Sequence, residues 1–500
     1  MISPLSSPLR PASLLLLSLL SSPLAFAEID RTQKPLPDPA PAISFPDFQT
    51  ETLPNGLKVF IIEDDRQPTI AVRLIIKTGS LLGKNGTADF VADLLNRGTP
   101  TRDAASFALE TDSIGMALQA SAGPDSISVF ASGLTKYTGK ILDLLTDAAF
   151  HAAFPADQFA KLQRQTLSAL EEERQQPAKL AGKLAAKVIY GSHPYGDYLT
   201  PAALQSLTRE DLVAFHQTYF VPNNATLAIV GDVKSALILP EILRAFGQWK
   251  PREIPMVKMA APPTLNGLSI HLLDRPGSVQ SNIIIAQPGP SRSNPDTAEL
   301  NVLNATLGGG FSGRLFQNLR EKHGWTYGAS SAFSMLKHGG AFLANTETRN
   351  EVTAPAIEET LKEIARLSLE TASEKEINLQ RQYNVGNYLL SLESTARNAQ
   401  RVQDIDLYQL PADYYKNYAR KMSATTPEQV QSLAKKYLST ENLAIIVVGE
   451  AKDVQPGLEK IGKVTLYNQD LQPQSKPQIE SQTKPQSKPQ SKPQTESQSK

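Results

Sequence analysis

A repeat at constant offset constrains this chain more than any other feature. Residues 208–233 can be laid without gaps on residues 426–451, an offset of 218, so that Tyr219 meets Tyr437, Asn224 meets Asn442 and Gly231 meets Gly449. In both copies an amphipathic helical stretch (Leu212, Phe215, Tyr219; then Val430, Leu433, Tyr437) leads through a polar turn into an apolar strand, 226–230 or 444–448. A second echo opens each unit, where Asn55-Gly56-Leu57 and Asn266-Gly267-Leu268 each introduce a strand pattern. Self-similarity on this scale means one domain used twice, each copy about 200 residues long. The Pro-rich stretch 251–263 is the natural boundary, giving expected domains at 46–257 and 264–468. Within each unit, strand patterns such as 58–63 and 71–77 mix with long helical ones such as 155–174 and 354–368. The expected class is therefore α+β, with two tandem homologous domains, each a largely antiparallel sheet with helices packed on one face.

The flanks read differently. Arg10, an apolar run at 14–20 and the ending Ala25-Phe26-Ala27 form a secretory signal peptide over residues 1–27, cleaved before Glu28. A membrane anchor is the rival reading, but Ser21, Ser22 and Pro23 break the run short of the roughly 20 residues that a spanning helix needs. Export to the periplasm of a Gram-negative-type cell follows as the expectation. Residues 28–45, with Pro35, Pro37, Pro39 and Pro41, favour an extended linker. Residues 469–500 repeat Ser-Lys-Pro-Gln and lack the apolar residues a core requires, so they read as a disordered tail, either solubilising or envelope-attaching. No later segment has the length and apolarity of a membrane span. The absence of cysteine excludes disulfides, thiolate metal sites, a cysteine nucleophile and a lipoprotein anchor. Basic and acidic residues balance at 50 each, without the basic footprint of a nucleic-acid binder.

Patterns that carry chemistry are few. There is no P-loop, no Gly-x-Ser-x-Gly elbow and no His-Glu-x-x-His. Histidines at 151, 193, 216, 271, 323 and 338 are scattered, none at the i, i+3 or i+4 spacing of a metal pair. His193 sits in the loop Tyr190-Gly191-Ser192-His193-Pro194-Tyr195-Gly196 and reads as a loop residue rather than a ligand. The stretch Gly86-Thr87-Ala88-Asp89-Phe90-Val91-Ala92-Asp93-Leu94-Leu95-Asn96-Arg97-Gly98-Thr99 resembles the active-site helix of the pitrilysin/insulinase family. That family's inverted motif, His-x-x-Glu-His, uses positions i, i+3 and i+4 of one helix face to aim two histidines at zinc and a glutamate at its water. Here those places hold Asp89, Ala92 and Asp93. The family's third ligand is a later glutamate, and Glu172 in Leu170-Glu171-Glu172-Glu173 is the matching position. Two readings stay open for Asp89, Asp93 and Glu172: a solvated helix face, or an oxygen site for a hard cation such as calcium or magnesium. Neither supplies a base, since the alanine at 92 takes no proton.

A second stretch resembles the same family more closely: Leu307-Gly308-Gly309-Gly310-Phe311-Ser312-Gly313-Arg314-Leu315-Phe316-Gln317-Asn318-Leu319-Arg320-Glu321-Lys322-His323-Gly324-Trp325-Thr326-Tyr327. Ser312 is the expected helix cap, Leu315, Phe316 and Leu319 the buried stripe, and Gly324 the helix stop. In the family, the arginine and tyrosine of this motif contact the substrate backbone near the scissile carbonyl, which implies that role for Arg320 and Tyr327. A guanidinium and a phenol can both donate to a developing oxyanion. Read alone, Arg320 would be a surface arginine and Tyr327 a half-buried strand residue.

The resemblance runs from about residue 46 to about 468. It implies two domains of the LuxS/MPP-like metallohydrolase type, and a subunit like the degenerate chain of processing-peptidase heterodimers. Such a chain binds no cofactor itself. Zinc is expected on a partner bearing His-x-x-Glu-His, with peptides as substrates, and this chain contributes Arg320 and Tyr327. The alternative is a peptide-binding or scaffolding protein with no peptidase partner.

Overall fold

The computed structural model describes residues 44–474. The signal segment, nearly all of the Pro-rich linker and most of the tail lie outside the described residues. The first sheet is built from β1 (Gln49–Thr52), β2 (Lys58–Glu63), β3 (Thr69–Ile76), β4 (Ala117–Ala122), β5 (Ile127–Leu134) and β6 (Ala225–Gly231). Its order is β1-β2-β6-β3-β5-β4. The second uses β7 (Ser269–Asp274), β8 (Gln280–Gly289), β9 (Ala329–Leu336), β10 (Gly339–Arg349), β11 (Ala444–Gly449) and β12 (Val464–Tyr467), ordered β12-β7-β11-β8-β10-β9. From β2 to β4 and from β7 to β9 the two sheets repeat one pattern. One parallel pair (β2 with β6, β7 with β11) is followed by antiparallel pairs. Each sheet is mixed rather than purely antiparallel, because β6 and β11 return through helices and pair parallel with the opening strand.

The repeat has a physical basis. Thr208 and Thr426 each cap a helix through the same reciprocal box, with Asp211 and Gln429 as their return partners. The strands that follow, β6 and β11, are buried at every residue, as central strands covered on both faces must be. The shared glycine is a close-approach position. A Cβ on Gly231 would stand 2.1 Å from the Thr69 carbonyl oxygen, and one on Gly449 2.6 Å from Ser281 Oγ.

Each half covers its own sheet on one face, and the other half covers the second face, which the sequence does not announce. Helix Pro177–Tyr190 leaves the first half and lays Leu180, Leu184 and Ile189 against Leu273, Ile284 and Ile446 of the second sheet. Reciprocally, helix Thr395–Leu407 of the second half packs on β3 and β6. There the buried Gln403 donates through Nε2 to the carbonyls of Arg73 and Thr226, both at 2.9 Å, and Asp406 pairs with Lys58 and Lys77. A third tie joins hairpin turns: Asp125 accepts from the Tyr195 hydroxyl at 2.6 Å and from the Lys337 amide at 2.9 Å. His193, in the same loop, is buried and accepts the Tyr195 amide at Nδ1.

Two boundaries need correction. Phe45, assigned to the linker, is 2% exposed and packs on Tyr415 at 5.4 Å. At the other end the chain turns back onto β12, with Leu471 2% exposed and Gln474 N donating to the Leu466 carbonyl, so residues 469–474 belong to the fold rather than the tail. No helix among the described residues is long and apolar enough to cross a membrane.

Candidate active-site positions

Helix Thr87–Leu94 starts at Gly86 and inserts Phe90, Val91 and Leu94 into the first core. Asp89 and Asp93 lie on its exposed side, while Ala92 is 2% exposed and turned into the packing. Protein crowds around both carboxylates although solvent reaches them. Desolvation raises the Asp89 pKa, with repulsion from Asp93 adding to it. Desolvation also raises that of Asp93, against the opposing pull of Arg97. Glu172 is exposed near the end of helix Ala156–Glu173. Among the described residues no three His, Cys, Asp or Glu side chains are gathered so as to hold a metal ion, and this includes Asp89, Asp93 and Glu172. The hard-cation alternative therefore loses its three-carboxylate cluster. Nor do these residues fit zinc, whose tetrahedral sites are built from converging Cys, His and carboxylate donors. The methyl of Ala92 offers neither ligand nor base.

The second motif folds as a helix with an irregular end. Its first turn starts at Arg314 with Gly313 as N-cap, and no side chain caps it. Ser312 instead accepts from Gln380 Nε2 at 3.2 Å, so its expected role as the cap is not what the structure shows. From Gln317 to Lys322 the backbone widens into a π turn, with His323 N bonded to the Asn318 carbonyl at 3.1 Å. Such turns are rare and recur at functional sites. The inner side is pinned by the buried Leu315 and Leu319, and by Asn318 Nδ2 donating to Glu359 and Glu363 of helix Thr353–Leu369. Gly324, at φ 63°, ends the helix as expected.

Arg320 projects from the outer side of the widened turn. Its guanidinium lies over the Phe316 ring, 4.9 Å from the centroid, and Nη1 donates to the Tyr327 backbone carbonyl at 2.9 Å. The motif's two residues are thus joined through backbone, which leaves the phenol free. Tyr327 is 87% exposed and its hydroxyl makes no hydrogen bond among the described residues. A half-buried strand position, the bland expectation for this tyrosine, is not what it occupies. The sequence missed the aromatic surroundings: Phe311 is 77% exposed beside the glycine run, and Tyr383 of helix Glu374–Ser391 is also exposed. A phenylalanine set among Gly310, Ser312 and Gly313 was the available signal, because a core residue seldom sits in such a stretch.

Comparison with known proteins gives the family. The profile described as Insulinase (Peptidase family M16) matches residues 58–200, and that described as Peptidase M16 inactive domain matches residues 206–384. The chain belongs to the peptidase M16 family. Among M16 relatives, the uncharacterized zinc protease YmxG of Bacillus subtilis is 24% identical over 407 residues, covering 79% of this chain and 97% of that protein. An uncharacterized zinc protease of Rickettsia felis is 26% identical over 392 residues, covering 77% and 91%. The crystal structure described as a peptidase M16 inactive domain from Pseudomonas fluorescens superposes with a TM-score of 0.76 at 27% identity, covering 81% of this chain and 98% of that one. A protease from Helicobacter pylori shares the fold, with a TM-score of 0.74 at 21% identity, covering 81% and 99%. Two M16-type α+β domains, each with a six-stranded mixed sheet, account for nearly all the described residues.

Proposed function

We propose that this M16 protein is the zinc-free subunit of an exported peptidase assembly. Its partner is an M16 subunit that carries His-x-x-Glu-His and the zinc, and the assembly hydrolyses peptides in the periplasm. One observation carries the reading. Arg320 and Tyr327 stand ready for a peptide, with an unengaged phenol and a fixed guanidinium, while the helix that would hold metal offers Asp89, Ala92 and Asp93. The chain thus has the polar groups for a carbonyl oxygen without the group that activates water. Supplied to a zinc centre on the partner, both side chains would donate hydrogen bonds to the substrate carbonyl as it becomes an oxyanion. The signal-like N-terminus supports export.

The test is reconstitution. The purified mature chain is expected to contain no stoichiometric zinc and to leave a quenched peptide uncut. A tagged copy drawn from envelope extract should bring a zinc-containing M16 subunit and peptide hydrolysis with it. One zinc per chain in the isolated protein, lost on Asp93→Ala, would overturn the proposal. If the tagged chain comes out with peptides but no peptidase, the peptide-binding scaffold replaces it.

A further inference from the structure

Three helices of the first half end at one place. Thr138–Phe150, Arg209–Tyr219 and Ser235–Phe246 bring their C-termini to a cavity of about 370 Å³, lined wholly by residues between 146 and 252. That volume falls within the roughly 300–1,000 Å³ usual for a small-ligand site. Two stacked pairs line it. Phe150 lies on Trp249 with ring centroids 4.3 Å and planes 25° apart, and His216 lies on Phe220 at 4.4 Å and 29°. The pairs are tied together, because Trp249 Nε1 donates to the Phe220 carbonyl at 3.1 Å.

Helix C-termini normally present orphan carbonyls and the negative end of the dipole, which together repel an anion. Here side chains take up those carbonyls. His216 Nε2 donates to that of Ala149 at 2.8 Å, Asn55 Nδ2 to those of Phe246 and Trp249, and Arg252 Nη1 to that of Gln217 at 3.1 Å. Charge points the same way. Lys250 and Arg252 both line the space, and no Asp or Glu does. Asp147, on the first of the three helices, turns its carboxylate to Arg102 at 2.6 Å and to His151 at 3.2 Å. Two cations near helix ends would offset the dipoles without any ligand. That role needs neither the concavity nor the aromatic walls. A ligand joining a ring to an anionic group would cover the aromatic surface and meet Arg252 through a charge-assisted hydrogen bond.

We infer that this cavity binds an aromatic carboxylate, either a free acid or the C-terminal residue of a peptide. The site is separate from the peptide contact proposed for Arg320 and Tyr327 and does not rest on it.

The experiment titrates the mature chain by calorimetry with N-acetylphenylalanine, its amide, N-acetylglycine, and the peptide Gly-Ser-Gly-Phe with a free C-terminus. N-acetylphenylalanine is expected to bind at least about ten-fold more tightly than its amide, which lacks the charge, and than N-acetylglycine, which lacks the ring. Changing Lys250→Gln and Arg252→Gln together, both at exposed positions, should bring the acid down to the affinity of the amide. The melting temperature of that variant should move by no more than about 4 °C. Trp325→Phe leaves Trp249 as the one tryptophan of the chain, and its emission should change as the acid saturates. If the peptide binds within about ten-fold of N-acetylphenylalanine the occupant is a peptide C-terminus, and if it binds more weakly than that the occupant is a small acid; either result keeps the site. Equal affinity for acid and amide, no saturable binding, a preference that survives in the double variant, or an unmoved Trp249 emission overturns it. Loss of the preference in Arg320→Ala also overturns it, because the acid would then sit at Arg320, whatever that variant does to peptide hydrolysis.

Discussion

Replacing Arg320 separates what this residue does for the fold from what it does for a substrate. In the free chain the guanidinium makes one hydrogen bond to the Tyr327 carbonyl, one stacking contact with Phe316 and a loose, exposed ion pair with Glu321 at 3.7 Å, at a side chain 43% exposed. At such exposure each is worth no more than about 0.5–1 kcal/mol before solvent screening. Arg320→Ala should therefore destabilise the chain by about 1 kcal/mol and lower the melting temperature by no more than about 2–4 °C. Within a complex containing the zinc-bearing partner, the same change should lower kcat/KM by about 10- to 1000-fold, or about 1.4–4 kcal/mol, if the guanidinium donates to the developing oxyanion. Tyr327→Phe, which removes an unengaged hydroxyl, should leave the melting temperature unchanged and lower turnover within the same range. Arg320→Lys should restore only part of the rate, since a point ammonium cannot hold the carbonyl and the substrate with a planar fork. Lys322→Ala, on the same turn, exposed and not assigned to the substrate by the motif, is the control. Calorimetry, size-exclusion chromatography and a quenched-peptide assay read the three quantities. If the assembled Arg320→Ala and Tyr327→Phe complexes cut at the unmutated rate, these residues do not touch the reacting carbonyl, and the chain contributes only structure to the assembly.

Three further outcomes follow from the packing. His216 is buried with Nε2 on the Ala149 carbonyl, and desolvation pushes its pKa from 6.5 to about 4. The unfolded chain therefore takes up this proton first, and the stability due to His216 should fall as pH drops from 6.5 towards 4, by about 3 kcal/mol, with His271, also pushed down to about 4 by burial, adding to the same window. His216→Gln should reduce the slope in melts across the window, leaving the part due to His271, and an unchanged slope would refute the assignment. Asp125→Ala leaves the Lys337 amide unpaired and the Tyr195 hydroxyl without an acceptor, though it still accepts from the His338 amide at 3.2 Å, and chemical denaturation should show a loss of about 1–3 kcal/mol. Introducing Asp89→His and Asp93→His together should yield no stoichiometric zinc by elemental analysis, because Glu172 is not gathered with them to complete the site.

How much of this was legible depends on the range of the interaction that fixed each element. The capped helices beginning after Thr208 and Thr426, and the strands that follow, were readable because cap, periodicity and apolar run all lie within about two dozen residues. Gly324 was readable for the same reason. The crossing of helices Pro177–Tyr190 and Thr395–Leu407 onto the opposite sheets was not, since an amphipathic stripe says that a face is buried and not against what. Phe45 and Leu471 were lost to composition: single apolar residues inside Pro- and Gln-rich stretches, each buried by partners far along the chain. Ser312 failed as a cap because Gln380, more than sixty residues on, claims its hydroxyl. At the site, residue types were visible and their geometry was not. That Arg320 grips the backbone of Tyr327 depends on a widened turn which no local pattern encodes.

The two halves also differ in what their site residues cost the fold, and this bears on function independently of any resemblance. Asp89 and Asp93 are surface residues four apart on one helix, a like-charge pair that disfavours the helix by only a few tenths of a kcal/mol. Ala92 is part of the core, so a glutamate introduced there would have to bury its carboxylate or displace the packing. At these positions the side chains are ordinary structure, and a base placed at 92 would act against stability. Tyr327 is the opposite case. With its ring 87% exposed and its hydroxyl unbonded it gains almost nothing from folding, yet Arg320 holds its backbone carbonyl in place. Order imposed on an aromatic side chain that the fold does not use is order available to something outside the chain.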